Sequence, residues 1–120
     1  MKNVTPVIAI HGGAGTISAS TTNPEQAQAY HDALQAIVRA AQAALLKGMS
    51  ALDATCLAVE MLEDCPLFNA GYGAVFTHEE THELDAAVMD GTTLAAGAIA
   101  GVSHVRRPVP GARAGLEGGA

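Results

Sequence analysis

Apolar residues recur at helical spacing twice in the first half of the chain. Tyr30, Leu34, Ile37, Val38, Ala41 and Leu45 form one stripe; Leu52, Cys56, Val59 and Leu62 form a second. The first predicts a helix starting at Asn23-Pro24-Glu25-Gln26. Asn is a capping residue, Pro suits the first helical position, and Gln three residues after the cap can answer it. Lys47-Gly48 closes that helix with a cation and a residue free to turn left-handed. Ser50 caps the second helix, which ends near Glu63-Asp64 because Pro66 forbids continuation. So short a connection predicts that the two pack as a hairpin.

Elsewhere the pattern changes period. Val7 to Ile10 reads as a short β-branched strand opening into His11-Gly12-Gly13-Ala14-Gly15. Residues 16–22 are rich in Ser and Thr and read as an exposed connection. Leu84 to Met89 reads as a strand, Asp90-Gly91 as a turn, and Leu94 to Val102 as an antiparallel partner. That last strand is almost wholly small and apolar, which predicts burial on both faces. A sheet needs this when it lies between helices and a second sheet. The expected fold is therefore α/β (α+β), a four-layer αββα sandwich of which this chain holds only part. From Pro108 onward glycine and proline dominate and no helical stripe is sustained. Residues 1–109 are read as one domain and 110–120 as an atypical Gly/Pro-rich tail.

Composition narrows the picture. A chain of 120 residues fits one domain and can bury roughly two thirds of its unfolded surface. Alanine and glycine replace large side chains, and aromatics are 3%, so layers should pack closely. A net charge of −6 argues against nucleic acid, whose phosphates call for Lys and Arg. Apolar runs fall far short of the ~20 residues a membrane helix needs. The apolar run after the N-terminus is too short for a signal peptide, so the expected compartment is the cytoplasm, with Cys56 and Cys65 reduced.

Four segments could carry chemistry. The His11 to Gly15 loop could aim backbone N–H groups at an anion, though a tight strand-end turn is the stronger reading of such a short motif. His78-Glu79-Glu80-Thr81-His82 matches the H-E-x-x-H zinc pattern. Its surroundings are polar on every side and run straight into a strand, so a surface loop is expected and zinc is not. Asp85 is expected to face a loop or solvent rather than the sheet core. The loop from Leu62 to Tyr72, containing Asn69-Ala70-Gly71-Tyr72-Gly73, reads by default as a helix-to-strand connection. Its alternative is a cation held by backbone carbonyls.

Taken in order, HGGAG, the paired helices, CPLFNAGYGAV (65–75), ELDAAVMDG (83–91) and GVSHVRRPV (101–109) resemble the plant-type L-asparaginase/isoaspartyl peptidase family. Its members are N-terminal-nucleophile hydrolases. The resemblance runs from about Val7 to about Val109 and implies the N-terminal part of the α subunit of a self-cleaving precursor. The implied substrates are isoaspartyl dipeptides and the side-chain amide of asparagine. The implied partners are the β part of the same precursor and a second αβ unit. No cofactor for catalysis is implied. The catalytic threonine lies in the β part, so no catalytic residue is expected in this chain, which alone should be inactive. Gly12, Gly13 and Asn69 are implied to lie beside the active site. The carbonyls of Leu62, Glu63, Cys65, Phe68, Ala70 and Tyr72 are implied to hold a structural sodium ion. A glycosylasparaginase-like amidase and a non-catalytic structural or binding domain are the alternatives.

Overall fold

The computed structural model describes residues 4–13, 22–71 and 83–118. Its elements run α1 (Pro24–Leu46), α2 (Ala51–Asp64), β1 (Leu84–Met89), β2 (Ala96–Val102) and α3 (Val109–Gly118). The start of α1 is the expected capping box. The Gln26 amide donates to Asn23 Oδ1 at 2.7 Å, and the Asn23 amide donates to Gln26 Oε1 at 3.4 Å. At its end Gly48 takes φ +103°. The Met49 and Gly48 amides then donate back to the carbonyls of Ala44 and Leu45, both at 3.0 Å, a Schellman closure. Ser50 caps α2 by accepting the Asp53 amide at 3.1 Å.

The two helices form the predicted hairpin. Ile37 and Ala41 of α1, Ala58 and Leu62 of α2, and Phe68 beyond it build a core, flanked by Ile8, Ile10, Tyr30 and Leu34. Tyr30 meets Phe68 edge to face, with ring centroids 6.0 Å apart.

The predicted strand at Val7 to Ile10 is not found. Residues 4–10 have no ladder partner among the described residues. Instead Ile8 and Ile10 lie on the helical core, Val7 faces outward, and the Pro6 carbonyl accepts Gln42 Nε2 at 3.1 Å. An apolar alternation lets a segment lean on helices, but a strand also needs a neighbour for its amides.

β1 and β2 pair antiparallel as expected. The turn is longer than Asp-Gly, since the Asp90 amide donates to the Ala95 carbonyl at 2.8 Å. Leu94, expected in the strand, sits in this loop at φ 61° and is exposed. The register slips between Leu84/Ala86 and Ile99/Val102. Gly101 takes φ 63° there, and its amide donates to Asp85 Oδ1 at 2.7 Å. Asp85 is thus exposed, as expected, and closes a bulge.

The other departures concern β2 and the tail. Burial alternates along β2, so among the described residues only one face is covered, not two. Residues 109–118, expected to lack a helix, form α3 across that face. Pro110 falls in the first turn, where no intrahelical amide is required, and Val109, Ala112 and Leu116 supply the inward stripe. The glycines belong to the packing: the Gly97 backbone lies directly against Ala112 and Leu116, and Gly111 lies against Ile99. Helix and sheet approach so closely because side chains are missing at the contact. The described fold is therefore a mixed α/β arrangement of three helices and a two-stranded antiparallel sheet, α3 covering one sheet face and α2 reaching both α3 and β1. Among the described residues, no helix is long and apolar enough to cross a membrane.

Candidate functional site

α2 ends in two acidic residues, an arrangement its own dipole disfavours. Both are answered by the segment leading into α3. The Asp64 carboxylate is gripped through Arg107 Nε (2.9 Å) and Nη2 (2.6 Å), with Arg106 Nε at 3.4 Å. The hydrogen bond from Arg107, reinforced by its charge, holds the Asp64 carboxyl below the ordinary carboxylate value.

Glu63 points the other way. It is 2% exposed and accepts the Val109 amide at 3.1 and 3.5 Å. Burial, seconded by Glu60 and Asp64, pushes its carboxyl up to about 7 against the opposing pull of the Val109 N–H and Arg107. From sequence, Glu63 stands out only for its carbonyl, because an acid at a helix end reads as solvated. What buries it is α3, which the composition of residues 110–118 hid.

The loop after α2 winds back on itself. The Cys65 amide donates to the Leu62 carbonyl (3.2 Å), the Phe68 amide to Cys65 (3.4 Å), and the Ala70 amide to Phe68 (2.8 Å). At Gly71 the chain takes φ +46°. A Cβ there would stand 2.6 Å from the Glu63 carbonyl oxygen and 2.8 Å from that of Arg106. Only glycine passes between the two backbones. Beside this junction lies a half-open cleft of about 310 Å³, lined by Glu63, Asn69, Leu84, Asp85, Pro108 and Val109 among others.

The glycine loop comes to the same side of the molecule through Phe68. A Cβ on Gly12 would lie 3.0 Å from the Phe68 ring, so Gly12 lets the loop sit on the residue preceding Asn69. Gly13 takes φ +115°, and its amide donates to His11 Nδ1 at 2.9 Å. The structure thus joins the 11–13 loop to the 62–71 loop through one aromatic ring, and joins the latter to α3 through Glu63. Tyr72, His78 and His82 lie outside the described residues. Among those described, no three His, Cys, Asp or Glu side chains converge as a metal site.

Cys56 and Cys65 are free thiols. Arg113 of α3 bonds Asp53 and Glu117, both at 2.7 Å, and reaches Cys56 Sγ at 3.7 Å. This ties α3 to the first turn of α2.

The chain is 61% identical over 111 residues to an isoaspartyl peptidase of Escherichia coli (strain K12), covering 92% of this chain and 35% of that protein. It is 47% identical over 115 residues to a putative isoaspartyl peptidase/L-asparaginase of Dictyostelium discoideum, covering 96% and 33%. To a plant-type L-asparaginase of Pyrococcus abyssi (strain GE5 / Orsay) it is 46% identical over 110 residues, covering 92% and 34%. It therefore spans about a third of the length of these curated relatives. The sequence profile described as Asparaginase matches residues 4–119, α3 included. On that match, which runs through both loops and the helix that buries Glu63, the chain belongs to the asparaginase family.

Proposed function

We propose that this chain is the N-terminal part of a cytoplasmic amidohydrolase that cleaves isoaspartyl peptides and the side-chain amide of L-asparagine. The observation that carries the reading is the 61% identity, over 111 residues, to a protein named isoaspartyl peptidase. The nucleophile is an N-terminal threonine from sequence outside these 120 residues. Its own α-amine, near neutral at physiological pH, takes the hydroxyl proton. This chain supplies walls rather than reacting groups. Gly12 and Gly13 back the nucleophile's surroundings, and Asn69 presents its amide beside them.

A structural sodium ion on the loop after α2 is part of the same proposal. The carbonyls of Leu62, Cys65 and Phe68 each accept one amide, and each keeps a second lone pair for a hard cation. With Glu63, Ala70 and Tyr72 they would hold the ion, which when bound supplies order to the loop and no step of the reaction.

The complete molecule is read as an αββα sandwich, and two αβ units as its assembly. Support comes from the sheet. One face carries α3, while the other presents Ala87, Met89, Ala96, Ala98 and Ala100, exposed among the described residues. A second sheet fits there.

The test is a chimaera joining residues 1–118 of this chain to the C-terminal remainder of the Escherichia coli relative. It is expected to cleave itself and to hydrolyse a β-aspartyl dipeptide, while the 120-residue chain alone hydrolyses none. A folded but unprocessed, inert chimaera would overturn the reading.

A further inference from the structure

Three segments meet at one side chain. Glu63 sits at the end of α2, Gly71 of the loop 65–71 packs on its backbone and Cβ, and its carboxylate accepts an amide at the start of α3. It is 2% exposed and accepts the Val109 amide at the first residue of α3. Its backbone and that of Arg106 hold Gly71 between them, two residues after Asn69. Glu63, Asn69 and Val109 line one cleft.

A carboxylate is a costly way to fill a cavity, because it must be desolvated and partnered. An apolar residue would fill the space without that cost. What an apolar residue cannot do is accept the Val109 N–H.

We infer that Glu63 is a positioning residue, whose carboxylate fixes the Asn69 loop against the start of α3 and thereby sets where Asn69 stands in the cleft. The link to turnover rests on the proposed amidohydrolase function; the link between the segments does not. Losing the acceptor frees the loop at its α3 side while leaving the α1–α2 core, built from other residues, in place. Displacement of a group beside the reacting centre lowers kcat more than it raises KM.

The experiment uses the chimaera described above with three variants. Glu63→Leu removes the acceptor but keeps apolar volume. Glu63→Gln keeps an acceptor oxygen. Val109→Pro removes the donor, together with a buried side chain, at the first helical position, where proline is tolerated. On β-aspartyl dipeptide, Glu63→Leu and Val109→Pro are expected to lower kcat at least tenfold with KM within about threefold, and Glu63→Gln to recover most of the rate. In parallel, hydrogen exchange at Val109 and Gly71 should accelerate at least tenfold in Glu63→Leu, with Ala54 and Ala58 of α2 unchanged. Equal losses in the Leu and Gln variants, or unaltered kcat in Glu63→Leu, would overturn the positioning role. If the parent chimaera is inert, the functional reading fails and exchange decides the latch alone: unaltered protection at Val109 in Glu63→Leu overturns it. Should Glu63→Leu fail to fold, Val109→Pro against the parent carries the comparison of kcat and of exchange at Gly71.

Discussion

Folding raises the proton affinity of Glu63. Its carboxyl is raised by burial from 4.5 to about 7, so between those values the folded state binds more protons than the unfolded one. That contribution is complete below 4.5 and is lost as pH rises through about 7. Asp53 and Asp64 act in the opposite sense. Hydrogen bonds from Arg113 and Arg107 hold them below 3.8, so their contribution is present above that value and lost as pH falls. Stability should therefore peak on the acid side of neutrality and fall by a few kcal/mol by about pH 8, each unit of displacement being worth about 1.4 kcal/mol. Urea midpoints at about pH 5 and about pH 8 check this. The decline should flatten in Glu63→Gln, and a midpoint that rises with pH would contradict it. Two glycines give a matched pair at the same scale. Gly48 has φ +103° and open space around a would-be Cβ, so Gly48→Ala should cost about 1 kcal/mol, from conformation alone. Gly71→Ala adds a clash with two backbones and should cost more than about 2 kcal/mol. Equal losses in a urea titration would mean that the 71 junction yields.

At the scale of elements, the helices α1 and α2 were legible because each carries its own instructions. Asn23, Pro24 and Gln26 start one, Gly48 ends it, and Ser50 starts the next. Asn23→Ala should cost about 1 kcal/mol, measured by thermal unfolding. The 7–10 segment and α3 were not legible, for one shared reason: partners decide them. Val7 to Ile10 has strand composition, but no ladder meets it among the described residues. Residues 109–118 have loop composition, but Gly97 and Gly111 allow α3 to press onto β2. That contact should be intolerant of any side chain. Gly97→Ala is expected to cost more than Asn23→Ala, because the obstruction is backbone on the facing helix rather than a movable side chain. If Gly97→Ala unfolds with the parent chain, α3 does not sit on β2 in solution. Of the site, the loops around Gly12, Gly13 and Asn69 stood out by their glycines and by family resemblance. The Glu63 carboxylate did not, since its burial needs α3 in place first.

For the whole molecule, the open sheet face is the deciding feature. The sequence pattern of β2 calls for cover on both sides, and the described residues supply it on one. Ala87, Met89, Ala96, Ala98 and Ala100 remain on the other, with Asp85 near one end as their polar neighbour. Among the described residues the sheet has two strands, so each of them is an edge. Edges of this kind template pairing with other chains, and an apolar sheet face invites a second sheet. Val4, Val7 and Leu46 add exposed apolar surface elsewhere. The isolated 120-residue chain is therefore expected to associate or to precipitate. Size-exclusion chromatography with light scattering should show species well above the 12.1 kDa monomer. Joining the chain to the C-terminal remainder of a relative should restore solubility, because on the proposed αββα reading added strands would cover the exposed face and pair its edges. Replacing Met89 and Ala98 on that face by Lys should disperse the isolated chain, yet block recovery of the chimaera. A sharp monomer peak with cooperative unfolding would instead mean that three helices and two strands close their own core, and the four-layer reading would give way to a self-contained two-layer domain.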